Sequence, residues 1–228
     1  MSRRQALGGL ALLAAPALLT APARAGGDTM IFDVHRGGES IGSHRLAFDA
    51  DGQDLVVDVT IALAVTFASI TLFRYHHVSR ERWRAGRLVA LDSRTDDDGR
   101  DFAVSARAGD GGLVVEGSEG RLLLDPATRT TSYWHPATVR QASLLDTQRG
   151  GLLALDNRFG GTDTLDVAGD PLAADRYDIA GDLEMTLWYG PEGQWCGLVF
   201  EARGEEVRYH AVTRLPEERW SAFAAMAA

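Results

Sequence analysis

From residue 29 onward, apolar and polar positions alternate in short runs divided by glycine-containing turns. Thr29–Arg36 (TMIFDVHR) places Met30, Phe32 and Val34 on one side. Gly37-Gly38-Glu39 is a turn signal, Ser40–Asp49 follows as a second strand, and Asp51-Gly52 turns the chain again. Leu55–Val65 then sets Leu55, Val57, Val59, Ile61, Leu63 and Val65 on a single face. A period of two sends successive side chains to opposite faces of a strand. Runs of this kind, joined by tight Gly-containing turns, predict antiparallel hairpins.

The next run, Ile70–Arg84, is longer and chemically mixed. One face carries Phe73, Tyr75, His77, Ser79, Glu81 and Trp83, while Ile70, Leu72, Arg74, His76, Val78, Arg80, Arg82 and Arg84 fall on the other. Gly86 leads into Leu88–Thr95, and Asp101–Arg107, Gly112–Glu116 and Arg121–Leu124 continue the hairpins. Further strands are predicted at Gly151–Asn157, Thr162–Val167, Ala173–Ile179, Leu183–Tyr189, Gln194–Ala202 and Glu205–Leu215. Helix is scarce. Thr138–Asp146, after Pro136, reads as a short one. Pro216–Ala227 reads as another, with Trp220, Phe223 and Met226 three apart on a docking side.

The predicted fold is therefore all-β. It is a single antiparallel meander curled into a barrel or half-barrel to bury one face and hide its edges, with a short C-terminal helix and an N-terminal signal helix. A two-sheet sandwich is the alternative. No fixed-period repeat or linker divides the chain, so residues 26–228 read as one domain.

Residues 1–25 (MSRRQALGGLALLAAPALLTAPARA) have a charged start, an apolar Ala/Leu/Gly run and a small-x-small end at Ala23-Arg24-Ala25. That order predicts a signal peptide cut between Ala25 and Gly26, with no stable membrane span after cleavage. Ser2-Arg3-Arg4-Gln5 resembles a twin-arginine export signal, although Ala6 stands where such signals carry Phe. The expected location is periplasmic or secreted.

Charge changes the choice of partners. The 228 residues hold 32 acidic and 23 basic side chains, and every basic one is Arg. Cleavage would remove Arg3, Arg4 and Arg24 and no acid, leaving 20 Arg against 32 acids and a net charge of −12. Such a surface repels phosphate, so neither nucleic acid nor an anionic bilayer is an expected partner. The absence of lysine excludes Schiff-base and P-loop lysine chemistry. Any anionic ligand group would have to be held by guanidinium forks, several of which lie on Ile70–Arg94.

Other chemistries lack their residues. Cys196 is the single cysteine, which excludes an intrachain disulfide and cysteine-built metal sites. Among the six histidines, His35, His44, His76, His77, His135 and His210, no pair has the same-face spacing of a local metal site. His76 and His77 are adjacent and point apart. Asp96-Asp97-Asp98, beside Gly99, reads as a turn. Neither a Gly-x-Ser-x-Gly nucleophile elbow nor a glycine-rich dinucleotide fingerprint is present, and no cofactor is expected.

Several segments resemble a known family. Phe32-Asp33-Val34, Gly38, Ile41-Gly42, His44 and Phe48 form one pattern; Tyr75-x-His77, Glu81-x-Trp83, Leu88–Thr95 and Tyr133-Trp134-His135-Pro136 add to it. Together they resemble the exported bacterial family known as domain of unknown function 6134, over nearly the whole mature chain. The resemblance implies an address and a β fold, and no activity. The first strands are also similar, more weakly, to periplasmic half-barrel proteins. Among these are lipoprotein carriers that hold acyl chains in an apolar concavity, and a cofactor-free pigment-pathway enzyme.

Phe73, Tyr75, His77, Glu81 and Trp83 make the candidate ligand-binding face, because aromatic bodies with polar tips suit a concave site for an amphipathic molecule. The other reading of this face is plain packing. Trp134 and His135 join it as a lid or ligand contact at the mouth, or else Trp134 caps the core and Pro136 starts a turn. Residues i and i+4 on one strand face stand about 13 Å apart, so His77 and Glu81 are not expected to touch. An Arg across strands is Glu81's structural partner on that view. The expected function is non-enzymatic binding of an apolar small molecule or lipid. One alternative is a cofactor-free enzyme using His77, Glu81, Tyr75 and His135. Another is an envelope assembly protein with a filled interior.

Overall fold

A computed structural model describes residues 28–67 and 70–228. The predicted signal peptide and its Ala25–Gly26 cleavage site lie outside the described residues.

Strands β1 to β8 are Asp28–Arg36, Glu39–Asp51, Asp54–Phe67, Ile70–Arg84, Arg87–Asp97, Arg100–Gly109, Gly112–Gly117 and Gly120–Leu124. They form an antiparallel meander. Next come β9 (Arg129–Thr130), a 3-10 turn (Pro136–Arg140) and β10 (Ser143–Leu145). A second meander holds β11 (Leu152–Val167), β12 (Asp170–Gly181), β13 (Met185–Tyr189), β14 (Trp195–Ala202) and β15 (Glu205–Thr213), and helix α1 (Glu217–Met226) ends the chain.

The two meanders become one sheet because β1 pairs with β15. The order is β8-β7-β6-β5-β4-β3-β2-β1-β15-β14-β13-β12-β11-β10-β9, so the sheet is an open curl with β8 and β9 at its ends, not a closed barrel. All pairings are antiparallel except β9–β10. The curl brings the β7–β8 hairpin against the turn at residue 150. Glu119 N–H donates to the Arg149 carbonyl at 3.3 Å, and a Cβ on Gly117 would lie 2.4 Å from that same oxygen.

Two expectations need correction. Gly160-Gly161 does not end a strand: Gly151–Asn157 and Thr162–Val167 belong to the single strand β11, which bulges between Phe159 and Gly161. Thr138–Asp146 is not a helix. The 3-10 turn starts at Pro136, where the fixed φ suits a first turn, and the Ser143–Leu145 segment pairs as β10.

The core fills one end of the curl. Met30, Phe32, Leu46, Phe48, Leu55, Val57 and Trp83 are all buried there. Helix α1 closes this end. Trp220 and Phe223 are buried, Met226 packs beside them, and Phe223 stacks on Phe48 at 5.7 Å. Trp220 Nε1 donates to the Glu192 carbonyl at 2.9 Å, and Arg129 reaches the Ala227 carbonyl at 2.6 Å. Among the described residues no helix is long and apolar enough to cross a membrane.

Candidate functional site

Strand registers sort the inner face into levels. In the lowest, Phe48, Val57, Glu81 and Leu91 lie side by side across β2, β3, β4 and β5. Next come Leu46, Val59, Ser79 and Ser93, then His44, Ile61, His77 and Thr95, and then Gly42, Leu63, Tyr75 and Asp97. Val65 and Phe73 lie beyond these. The low level is solid core. From Val59 upward the interior is a cavity of about 810 Å³, within the roughly 300–1,000 Å³ usual for small-molecule sites.

The wall is apolar. Ile61, Leu63 and Val65 of β3 face Leu198 and Phe200 of β14 and Val207 of β15. A bulge at the β1–β2 pairing, between Val34 and His35, turns Ile41 inward as well. Charged side chains, among them Arg36, Glu184, Glu201 and Arg203, border the open end, and the Arg203 guanidinium sits 4.9 Å over the Phe73 ring.

Polar side chains gather at the inner end. His77 Nδ1 and Thr95 Oγ1 share a 2.8 Å hydrogen bond. Tyr75 stacks near His77 and donates to Gln148 Oε1 at 3.2 Å. Tyr133 lines the space with a left-handed backbone (φ 58), a strained state for an aromatic residue. Its carbonyl accepts from the Tyr189 hydroxyl at 2.7 Å. His44 is only 2% exposed and packs among Phe32, Trp195 and Tyr209. Neither of its ring nitrogens has a hydrogen-bond partner among the described residues.

Burial sets the ionisation of this end. It lowers His44 to about 3, helped by His77, and lowers His77 to about 4, helped by His76. Both imidazoles are neutral near pH 7, each with one donor and one acceptor nitrogen. Burial also raises the phenols of Tyr75, Tyr133 and Tyr209. The arrangement can hold an apolar body and offer neutral hydrogen-bonding groups to one end of it.

The predicted face divides along β4. Phe73, Tyr75 and His77 line the cavity, whereas Glu81, Trp83, Trp134 and His135 lie in the packed end and do not. Glu81 is fully buried. Its Oε2 accepts from Trp83 Nε1 at 2.9 Å and Trp134 Nε1 at 3.2 Å, and its Oε1 from Thr130 Oγ1 at 2.8 Å. Two indoles and a hydroxyl thus take the place of the cross-strand Arg expected for it. The nearby Arg129 instead lies 4.8 Å over the Trp83 ring. Trp134 packs on Phe48, Trp83 and Trp220. His135 caps the 3-10 turn, its Nδ1 accepting from Ala137 N–H at 3.1 Å.

The four acid/base candidates do not converge, since Tyr75 and His77 are separated from Glu81 and His135. A filled interior, the mark of the assembly reading, is not what the curl encloses. Three of the four arginines of β4 engage acids on the convex face: Arg80 with Asp58, Arg82 with Asp51 and Asp54, and Arg84 with Asp54. The guanidinium groups that do face the cavity belong to Arg36, Arg149 and Arg203.

His44 and Tyr209 were not among the predicted site residues, yet their signal is in the sequence. His44 is in phase with Leu46 and Phe48, and Tyr209 with Val207 and Ala211, so each puts a polar tip on an apolar face.

The family described as "Domain of unknown function (DUF6134)" matches residues 32–212. No curated protein matches the chain. Among solved structures, the chain is similar to the beta-barrel-like protein of domain of unknown function DUF1849 from Brucella abortus. The TM-score is 0.58 at 13% identity, covering 82% of this chain and 95% of that one. At that identity the likeness concerns fold alone.

Proposed function

The chain belongs to the DUF6134 family of domains of unknown function, and for this member we propose exported, non-enzymatic binding of an apolar or amphipathic, lipid-like molecule. The observation that carries the reading is the 810 Å³ cavity, apolar along its wall and polar at its closed end. A packed core of this size would have no reason to leave such a volume open, because each void forfeits dispersion contacts and burial. Phe73, Tyr75 and His77 contact the ligand in this proposal. Glu81, Trp83, Trp134 and His135 support the site from below by fixing β4 and the segment after β9. Residues 1–25 direct the protein to the periplasm.

Protein carrying a C-terminal tag, purified from the periplasm of its source cells and analysed by native mass spectrometry, tests this reading. The expected species is a chain beginning at Gly26 that carries a noncovalent lipid-like adduct, enriched over a control periplasmic protein. Bare protein would overturn the binding proposal. Recovery only from the cytoplasm with residues 1–25 intact would overturn export.

A further inference from the structure

Several places in the molecule bear unused chemistry. Arg129 has two buried nitrogens without partners, but they lie against Trp83 in the packed end, with no space for a ligand. Cys196 is buried and its thiol donates to the Gln194 carbonyl at 3.2 Å. Ile70 is exposed on β4, and Leu72 is exposed where it borders the cavity, with nothing to indicate what would cover either. His44 is different, because it combines an unpartnered buried polar group with open space.

Resting on the binding role proposed above, we infer that the ligand enters with an uncharged, hydroxyl-type end foremost, and that His44 receives that end. Three observations lead there. His44 lines the inner part of the cavity, two rows above the solid row of Phe48, Val57 and Glu81 and one above Val59, the deepest wall residue of β3. Both its ring nitrogens lack a partner among the described residues and show almost no surface even to the cavity, so the ring turns toward a bound hydrogen-bonding group, which relieves the cost of leaving them unpaired. Its ring neighbours are Phe32, Trp195 and Tyr209.

The surroundings also determine the charge of the incoming group. The rings packed on His44 are aromatic, and neither ring nitrogen meets a carboxylate or any other hydrogen-bonding group among the described residues. A carboxylate pushed to this depth would lose its hydration and meet no fixed cation. A hydroxyl suffers far less, since it can both donate and accept and a neutral imidazole offers both roles. The Tyr209 ring lies 5.7 Å from His44, and its hydroxyl forms no hydrogen bond among the described residues, which supplies a second contact of the same kind. The apolar body would then run along Ile61, Leu63 and Val65 toward the charged mouth. This polarity is opposite to that of a site holding an acid head group among mouth arginines.

The test uses purified, delipidated protein at one pH near 8 and measures displacement of the neutral fluorophore N-phenyl-1-naphthylamine by 1-dodecanol, dodecanoate and dodecane. Dodecanol is expected to displace the probe at concentrations about tenfold lower than either of the others. In His44→Leu that advantage over dodecane should shrink to about threefold or less, while His44→Gln retains it. Equal or tighter binding of dodecanoate, or an alcohol preference untouched in His44→Leu, would overturn the inference and leave the cavity's binding role standing. If no probe or chain binds, the binding role itself fails. Should His44→Leu not fold, the ranking of the three chains on the unaltered protein decides alone.

Discussion

His44, His77 and His135 share one physical condition. All three are buried, and burial lowers them to about 3, 4 and 4, with His76, Arg129 and other neighbours adding to the effect. The unfolded chain binds a proton on each near 6.5, so between about 4 and 6.5 it binds more protons than the folded protein does. Stability is therefore full above about pH 6.5 and is lost as pH falls, each group contributing up to ~1.4 kcal/mol per pH unit. His210, also lowered, adds to the loss, while His35, raised by its bond to Asp33, opposes it. Glu81, raised by burial against the pull of its two indole donors, likewise favours the folded state at lower pH. The depressed imidazoles outnumber these opponents. Urea unfolding at pH 7, 6 and 5 should show stability falling steeply. In His44→Leu the slope should be shallower by about one proton, and stability at pH 7 no lower, because an unpaired buried polar group has been removed. An unchanged slope would mean that His44 is not buried neutral. This residue also shows what a strand pattern reveals and what it leaves out. Its phase with Leu46 and Phe48 places it inward, but two of the three rings around it come from β14 and β15, which no local pattern connects to β2.

Strand β4 shows how an element can be read correctly and its environment only in half. The alternation from Phe73 to Trp83 identified the inner face, and the approximate bounds Ile70–Arg84 match the strand, with Gly86 marking its end. A strand of this length extends about 50 Å, further than either the cavity or the core. One face therefore meets open space at Phe73, Tyr75 and His77 and tight packing at Glu81 and Trp83. Glycine pairs were ambiguous for a similar reason. Gly37-Gly38 turns the chain, whereas Gly160-Gly161 only bulges it, and the difference lies in whether β12 continues alongside. Gly42 gives this ambiguity a measurable form. It holds φ 140 beside the bulge that presents Ile41 to the cavity, and a Cβ there would lie 2.0 Å from the Ala62 carbonyl oxygen. Gly38 also has a positive φ, but a Cβ there meets nothing within 4 Å. Gly38→Ala should cost about 1–2 kcal/mol from the backbone alone. Gly42→Ala should cost clearly more and weaken dodecanol binding by displacing Ile41. Thermal denaturation with the displacement assay on both variants checks this, and equal losses would refute the role assigned to the bulge.

The joining of β1 to β15 turns two meanders into one curl, and it unites the start and end of the described chain through a pairing that local patterns do not encode. The parallel β9–β10 pairing was equally invisible, since those strands are only two and three residues long. Apolar alternation predicted which side chains face inward, but whether the enclosed volume is filled depends on how far apart the curl holds its opposite walls. That question can be put to the molecule by adding volume at two points of β3. Leu63 borders the cavity, while Val57 is fully buried in the packed end. If the space is a binding site maintained at some expense to stability, Leu63→Phe should fill part of it. Melting temperature should then hold or rise, and dodecanol affinity should fall by about tenfold or more, as expected where function opposes maximal packing. Val57→Phe has no space to enter and should cost about 1–3 kcal/mol through forced rotamers and backbone shifts, with binding by the folded fraction little changed. The contrast distinguishes a retained ligand site from loose packing. A cavity that was only a packing defect would accept Leu63→Phe with the same gain in stability, but no ligand would lose affinity, because none would bind the unaltered protein.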